Sequence, residues 1–246
     1  MNNMINWENK TAIITGAAGG IGSVICQKVA GMKLSLLLVG RREEALRALA
    51  DELMEQEDIK VLTCAGDLTD TAFVRSLPGR AKETFGGLDV LINCAGMAQH
   101  DSFEEVSEDT FDQIMALNVK APYFLCQASL PFLRQSSSGT IINIASVVAH
   151  KGYPMQSVYA ASKHALLGLS KSLANEVYAE NIRVHVVSPG AVYTPMIALA
   201  RPDLKPDTMI LPEDVADVVA FYLEHRGAHA VIDEIQVHRA DKEPFA

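Results

Sequence analysis

The chain has 246 residues, is 49% apolar and carries a formal net charge of −9, so it can bury a full core without metal or disulfide staples. The charge is spread thinly with no basic stripe, which argues for solubility and against a nucleic-acid partner. Four cysteines (Cys26, Cys64, Cys94 and Cys126) form no CxxC pair and seven histidines show no metal-ligand spacing, so no disulfide framework and no metal are expected.

In chain order, Met1–Lys10 is polar and lacks the basic-then-apolar pattern of a secretory leader. Apolar runs follow at Thr11–Thr15, Leu34–Val39, Val61–Ala65, Val90–Asn93, Thr140–Ala145, Val184–Ser188 and Val231–Val237. None is long enough to span a membrane, so a cytoplasmic protein with no membrane partner is expected. Most are nearly unbroken in hydrophobicity, as parallel strands covered on both faces require. Between them lie helix-period stretches, among them Ser23–Ala30, Glu43–Glu57, Glu108–Leu133 and Gln156–Ala179. This alternation predicts an α/β fold, a doubly wound parallel sheet of Rossmann type with about seven strands and helices on both faces. No Pro/Gly/Ser-rich linker interrupts it, so residues 1–246 read as one domain.

In such sheets ligands sit beyond the carboxyl ends of the strands. After the first run comes Thr15-Gly16-Ala17-Ala18-Gly19-Gly20-Ile21-Gly22, leading into a helix. Glycines there let the backbone turn sharply and approach a pyrophosphate, whose charge the helix N-terminus meets. The second run ends at Val39-Gly40, followed by Arg41-Arg42. The carboxylate expected about 20 residues past the glycine turn, on the ribose hydroxyl, is missing. Two guanidinium groups stand there instead and suit a 2′-phosphate, which favours NADP(H) over NAD(H). Tyr159 and Lys163 are one helical turn apart and share a face. A phenol with a pKa of about 10 would be drawn toward phenolate by that ammonium and by an oxidised nicotinamide. Ser146, at the end of the fifth run, would donate a hydrogen bond to a substrate oxygen.

The spacing Thr-Gly-x-x-x-Gly-x-Gly resembles that of the short-chain dehydrogenase/reductase family, and the likeness extends over nearly the whole chain. Asp67 looks like the family's adenine-contacting aspartate. Asn93-Cys94-Ala95-Gly96 resembles its Asn-Asn-Ala-Gly turn, with Cys94 in place of the second asparagine. Asn118, Ser146, Tyr159 and Lys163 match its active-site residues, Pro189-Gly190 its turn after the sixth strand, and Thr194 its residue near the nicotinamide carboxamide. The resemblance implies an oxidoreductase acting on a ketone, aldehyde or secondary alcohol. Tyr159 would be its acid/base, Lys163 would also hold the nicotinamide ribose, and Asn118 would hold a water linking Lys163 to solvent. A catalytically silent nucleotide-binding regulator of the same fold would need Gly16–Gly22 but not Ser146, Tyr159 and Lys163.

Other residues are expected at the periphery. His100 and the stretch His150 to Tyr153 are candidates for lining the substrate pocket, while His164 should point off the catalytic face. Residues 194–211 leave room for a short substrate lid. Phe111 to Leu133 offers an apolar helix face which, by resemblance, would pair with its copy in a homodimer or homotetramer. The ending Val231–Val237 departs from the glycine-rich one common in the family.

Overall fold

Runs of aliphatic and β-branched residues pair as strands when both faces of the sheet are covered. In the computed structural model, which describes residues 5–195, 197 and 206–242, seven such runs form one sheet. They are β1 (Thr11–Thr15), β2 (Ser35–Gly40), β3 (Val61–Ala65), β4 (Val90–Asn93), β5 (Thr140–Ile144), β6 (Arg183–Pro189) and β7 (Glu234–Val237). Every pairing is parallel, and the order is β3-β2-β1-β4-β5-β6-β7. The order reverses between β1 and β4, so a crevice opens at their carboxyl ends.

Alternation along each strand divides the core in two. Ala12, Ile14, Leu36, Leu38 and Ile92 pack under α1 (Gly20–Ala30), α2 (Glu43–Gln56) and α7 (Pro212–Glu224). Ile13, Leu37, Leu91 and Ile141 pack on the other side against α3 (Thr71–Phe85) and α5 (Ala121–Leu133), which α4 (Glu108–Met115) precedes. The long α6 (Ser157–Val177) completes that layer. The predicted fold class is the observed one. The two helices that the apolar periodicity left unnamed, α3 and α7, complete the cover.

Two elements differ from expectation. The helix expected in one piece over Glu108–Leu133 is interrupted by a π turn at Ala116–Lys120. Its cause lies in the sequence: Pro122 has no N–H to give the carbonyl four residues back, that of Asn118, and its ring crowds that carbonyl. The run Val231–Val237 pairs only from Glu234 onward. The Asp233 carbonyl just before it accepts from Val186 N at 2.9 Å, and the Ile232 carbonyl faces the His185 ring at 2.8 Å.

Candidate active site

The glycine turn is shaped by contacts that leave no room for side chains. Gly16 has φ +68°, and a Cβ there would lie 2.9 Å from the Ala95 backbone. A Cβ on Gly22 would come 2.1 Å from the Gly16 carbonyl oxygen, and one on Gly20 would come 2.8 Å from Thr194 Cγ2. The first turn of α1 has no side-chain cap and no acidic residue, so its N–H groups remain for an anion. This cradle fits a dinucleotide pyrophosphate. Thr15 Oγ1 closes it by accepting from Cys94 N at 3.1 Å and Ala95 N at 3.2 Å. Asn93, expected at the cofactor, is buried and directs its amide sideways to Asn143 Oδ1 at 2.8 Å, pinning β4 to β5. Sequence reasoning missed Thr15 and Asn143. The available signal was a polar residue in an otherwise apolar strand.

At the end of β2, Arg41 and Arg42 are exposed. Arg42 Nη2 reaches back to the Ala18 carbonyl at 2.6 Å and so braces the glycine turn. Asp67 accepts from the Thr69 backbone N–H at 2.9 Å. That bond, followed by one from the Thr69 hydroxyl, holds its carboxyl below the usual range against partial burial, with Arg41 adding to the effect. Arg41 thus retains a guanidinium that is not engaged with the glycine turn.

Ser146, Tyr159, Lys163 and Asn118 converge beside Gly96. Ser146 Oγ donates to the Pro189 carbonyl at 3.2 Å and accepts from Val148 N at 3.4 Å. Ser146 is near enough to the Tyr159 hydroxyl to favour its phenolate. Lys163 Nζ donates to the Ile144 carbonyl at 2.8 Å and lies 5.8 Å from the Tyr159 ring centroid. A Cβ on Gly96 would lie 3.4 Å from Asn118 Oδ1 and 3.5 Å from Lys163 Nζ, so a side chain there would crowd both. The Asn118 side chain is fully engaged, with Met97 N and Met97 O at 2.9 Å each and Ser162 Oγ at 3.0 Å. Pro122 cannot give the Asn118 backbone carbonyl the donor that an α-helix would supply.

The start of α6 is set by a residue that sequence reasoning missed. Gln99 Oε1 accepts from Val158 N at 3.0 Å and Tyr159 N at 3.2 Å, replacing the side-chain cap that Gln156 does not provide. Gln99 lies in a loop far from α6 in sequence, so only its nearness to the Asn93–Gly96 turn could have drawn attention to it.

Within the chain, burial pushes the Tyr159 phenol up from its ordinary value, and Ser146 pulls it only partly back. Tyr159 as a whole residue is half-buried, and desolvation still outweighs the effect of Ser146. Burial also holds the Lys163 ammonium down to about 8, with Cys94 acting in the opposite direction. Cys94 itself is pushed up to about 12 by burial, Lys163 lowering it, and so is a thiol rather than a nucleophile.

Of the peripheral candidates, His100 is exposed. His150 turns to Glu234 Oε1 at 2.6 Å, an atom that also accepts from Ser188 Oγ at 2.6 Å. Tyr153 lies between Lys151 and Lys242, whose ammonium groups are 5.3 and 5.7 Å from its ring centroid. His164 is exposed and bonded to Ala160 O at 2.9 Å, off the catalytic face. Gly190 N donates to Val237 O at 2.9 Å. Half of the lid expected over 194–211 lies outside the described residues. Its base is stitched by Tyr193 N to Ile210 O at 2.8 Å and Ile210 N to Ala191 O at 3.0 Å. Among the described residues, no cluster of metal-ligating side chains is present and no helix is long and apolar enough to cross a membrane.

Comparison with known proteins agrees with this geometry. The family model described as short chain dehydrogenase matches residues 10–205. The chain is 34% identical to a 3alpha-hydroxysteroid dehydrogenase of Mediterraneibacter gnavus, over 95% of this chain and 97% of that one. It is 32% identical to the 3-oxoacyl-(acyl-carrier-protein) reductase FabG of Rickettsia bellii, over 96% and 98%. The crystal structure of a metagenomic short-chain oxidoreductase in complex with NADP superposes with a TM-score of 0.83 at 29% identity, over 97% of this chain and 100% of that one.

Proposed function

The chain belongs to the short-chain dehydrogenase family of oxidoreductases, and on that premise we propose that it moves a hydride between NADP(H) and a ketone, aldehyde or secondary alcohol. The observation that carries this reading is the placing of Lys163 Nζ 5.8 Å from the Tyr159 ring centroid, anchored on Ile144 O at the end of the strand that leads into Ser146. When bound, the nicotinamide supplies or accepts the hydride. The chain's own residues do the rest.

In the reducing direction Ser146 turns its hydroxyl from the Pro189 carbonyl to the substrate oxygen, and Tyr159 gives that oxygen its proton. A phenol kept neutral by burial is suited to donate. Lys163, anchored on Ile144 O, places positive charge beside the phenolate left behind and also holds the nicotinamide ribose. Asn118, through its backbone carbonyl, holds the water that returns a proton along this path. Gly16, Gly20, Ile21 and Gly22 form the pyrophosphate cradle, Arg41 meets the 2′-phosphate with Arg42 bracing the turn, and Asp67 meets adenine. Asn93, Ala95, Gly96, Pro189, Gly190 and Thr194 border the nicotinamide half. The NADP-bound structural relative supports that cofactor. The two named relatives, whose names specify a hydroxysteroid and an oxoacyl compound, support a secondary alcohol or ketone.

The test is Tyr159→Phe, which keeps the ring and removes the proton. Turnover should fall by about 10²–10⁴-fold, typical of losing a general acid, with NADPH binding unchanged. Turnover within a few-fold of the parent would give the proton another source. The chain is further read as one domain with a short lid, assembling through the α4–α5 face, where Phe111 and Tyr123 are 47% and 50% exposed. A monomer by light scattering at micromolar concentration would refute that assembly.

A further inference from the structure

Tyr159 is the third residue of α6. It therefore lies in a first turn, where backbone N–H groups lack partners within the helix and the end frays. An acid/base group there must nevertheless hold its hydroxyl still, because a misplacement of about 1 Å can cost on the order of 10²-fold in rate. The structure fastens both ends of this residue's backbone. Gln99 Oε1 takes the N–H groups of Val158 and Tyr159. Ser162 Oγ donates to the Tyr159 carbonyl at 2.7 Å and in turn accepts from Asn118 Nδ2 at 3.0 Å.

Gln99 is itself fixed, being 5% exposed and held on both sides. Two residues before it, the N–H and the carbonyl of Met97 are both bonded to the Asn118 side chain. Two residues after it, Asp101 N donates to Met155 O at 3.2 Å, just ahead of α6. The Asn118 side chain thus reaches the Tyr159 backbone by two routes, through Gln99 and through Ser162. The amide also carries a cost. Among the described residues nothing accepts from its buried Nε2, and an orphaned buried donor is unfavourable. A carboxylate would cap the same N–H groups, suit a helix N-terminus better and leave no orphan. What the amide offers in its place is neutrality beside the phenol. The titratable groups on the surrounding elements are Lys163 on α6, Cys94 after β4, His100 and Asp101 beside Gln99, and His150, which Glu234 holds. All stay the same when only position 99 is changed.

We infer that Gln99 is a positioning residue for the acid/base step: by holding the first turn of α6 it sets where the Tyr159 hydroxyl stands, and it does so without adding a charge. This rests on the role proposed above for Tyr159. A cap that served the fold alone would govern how much protein folds, not the rate or the pH profile of the folded enzyme.

The test follows Tyr159 in the whole protein with NADP⁺ bound, through the pH dependence of its ¹³Cζ signal and of cyclohexanol oxidation. Gln99→Met keeps the side chain's length and removes the acceptor. Its kcat should fall about ten-fold or more while NADP⁺ affinity holds. Gln99→Glu restores the acceptor, so kcat at high pH should return close to the parent's. Its carboxylate disfavours the phenolate, so both midpoints should rise by about one pH unit or more. The ¹³Cζ signal needs no turnover, and Gln99→Glu keeps the cap, so this arm decides even if Gln99→Met fails to fold. An unmoved midpoint in Gln99→Glu, or an undiminished kcat in Gln99→Met, would overturn the inference. Tyr159→Phe, which also identifies the ¹³Cζ signal by its loss, separates the two readings. If it turns over like the parent, the role of Tyr159 falls and that of Gln99 with it. If it is inactive while both Gln99 variants match the parent, only the role of Gln99 falls.

Discussion

His150 Nε2 stands 2.6 Å from Glu234 Oε1, and that same oxygen takes the Ser188 hydroxyl. His150 ends the short turn Val147–Ala149 that starts from Ser146, and Ser188 precedes Pro189, whose carbonyl holds Ser146 Oγ. One carboxylate on β7 therefore joins the two backbone segments that set the direction of Ser146. Glu234→Ala should lower kcat on the order of ten-fold, short of the loss from a full ångström of misplacement, and leave NADPH affinity intact. Glu234→Gln keeps an acceptor for Ser188 and a donor for His150, so it should restore most of the rate. Steady-state kinetics decide, and an unchanged kcat in Glu234→Ala removes Glu234 from this role.

Lys163 makes stability depend on pH. Its folded value is about 8, whereas an unfolded lysine titrates near 10.4. Between those values the unfolded chain binds more protons, so stability rises with pH across the window. Below it both states are protonated and the burial penalty is constant. Measured against Lys163→Met, the parent should gain roughly 3 kcal/mol between about pH 7 and about pH 10.5. Urea midpoints of the two proteins along that range provide the comparison. A difference that stays flat would mean the ammonium is not desolvated.

Cofactor choice should rest on Arg41 more than on Arg42, because Arg42 is already bonded to Ala18 O. Losing one charge-assisted contact to the 2′-phosphate should cost about 1.5–3 kcal/mol in NADPH binding. Fluorescence titrations of Arg41→Ala should show that loss for NADPH and little change for NADH. Equal affinities for the two cofactors in the parent would refute the NADP(H) preference.

The approach of Gly20 to Thr194 can be tested by compensation. A Cβ at position 20 would sit 2.8 Å from Thr194 Cγ2, so Gly20→Ala should push Thr194 aside and weaken NADPH binding. Adding Thr194→Ser removes that methyl and should recover part of the loss. Additive effects in the double-mutant cycle would show that the two positions are uncoupled.

Much of this was legible in the chain because the information was local. An unbroken apolar run such as Leu36 to Val39 announces a strand with two covered faces, and the glycine spacing after β1 announces a tight turn into a helix. Tyr159 and Lys163 could be paired from helical geometry alone. What escaped was long-range. Gln99 caps a helix nearly sixty residues away, and Glu234 reaches His150 from the far edge of the sheet. No periodicity marks such partners, since they meet only after the sheet is assembled. The interruption at Asn118 was different: its cause, Pro122, was in plain view and was outweighed by the apolar periodicity around it. The upward push of burial on the Tyr159 phenol was not legible either, because desolvation depends on packing, which a residue spacing does not contain.

The pairing of Tyr193 with Ile210 gives the intervening loop fixed ends close together on the rim of the sheet. Where the ends of a segment are held together by the fold, added length is inexpensive: in a flexible loop each doubling adds only about 0.6 kcal/mol of closure entropy. Insertions and deletions there are thus inexpensive for the fold, while the glycine cradle and the Ser146–Tyr159–Lys163 cluster lie on segments that would not move. On the proposed reading of this segment as the lid over the substrate, laboratory evolution aimed at new specificity has its safest library between those two anchors.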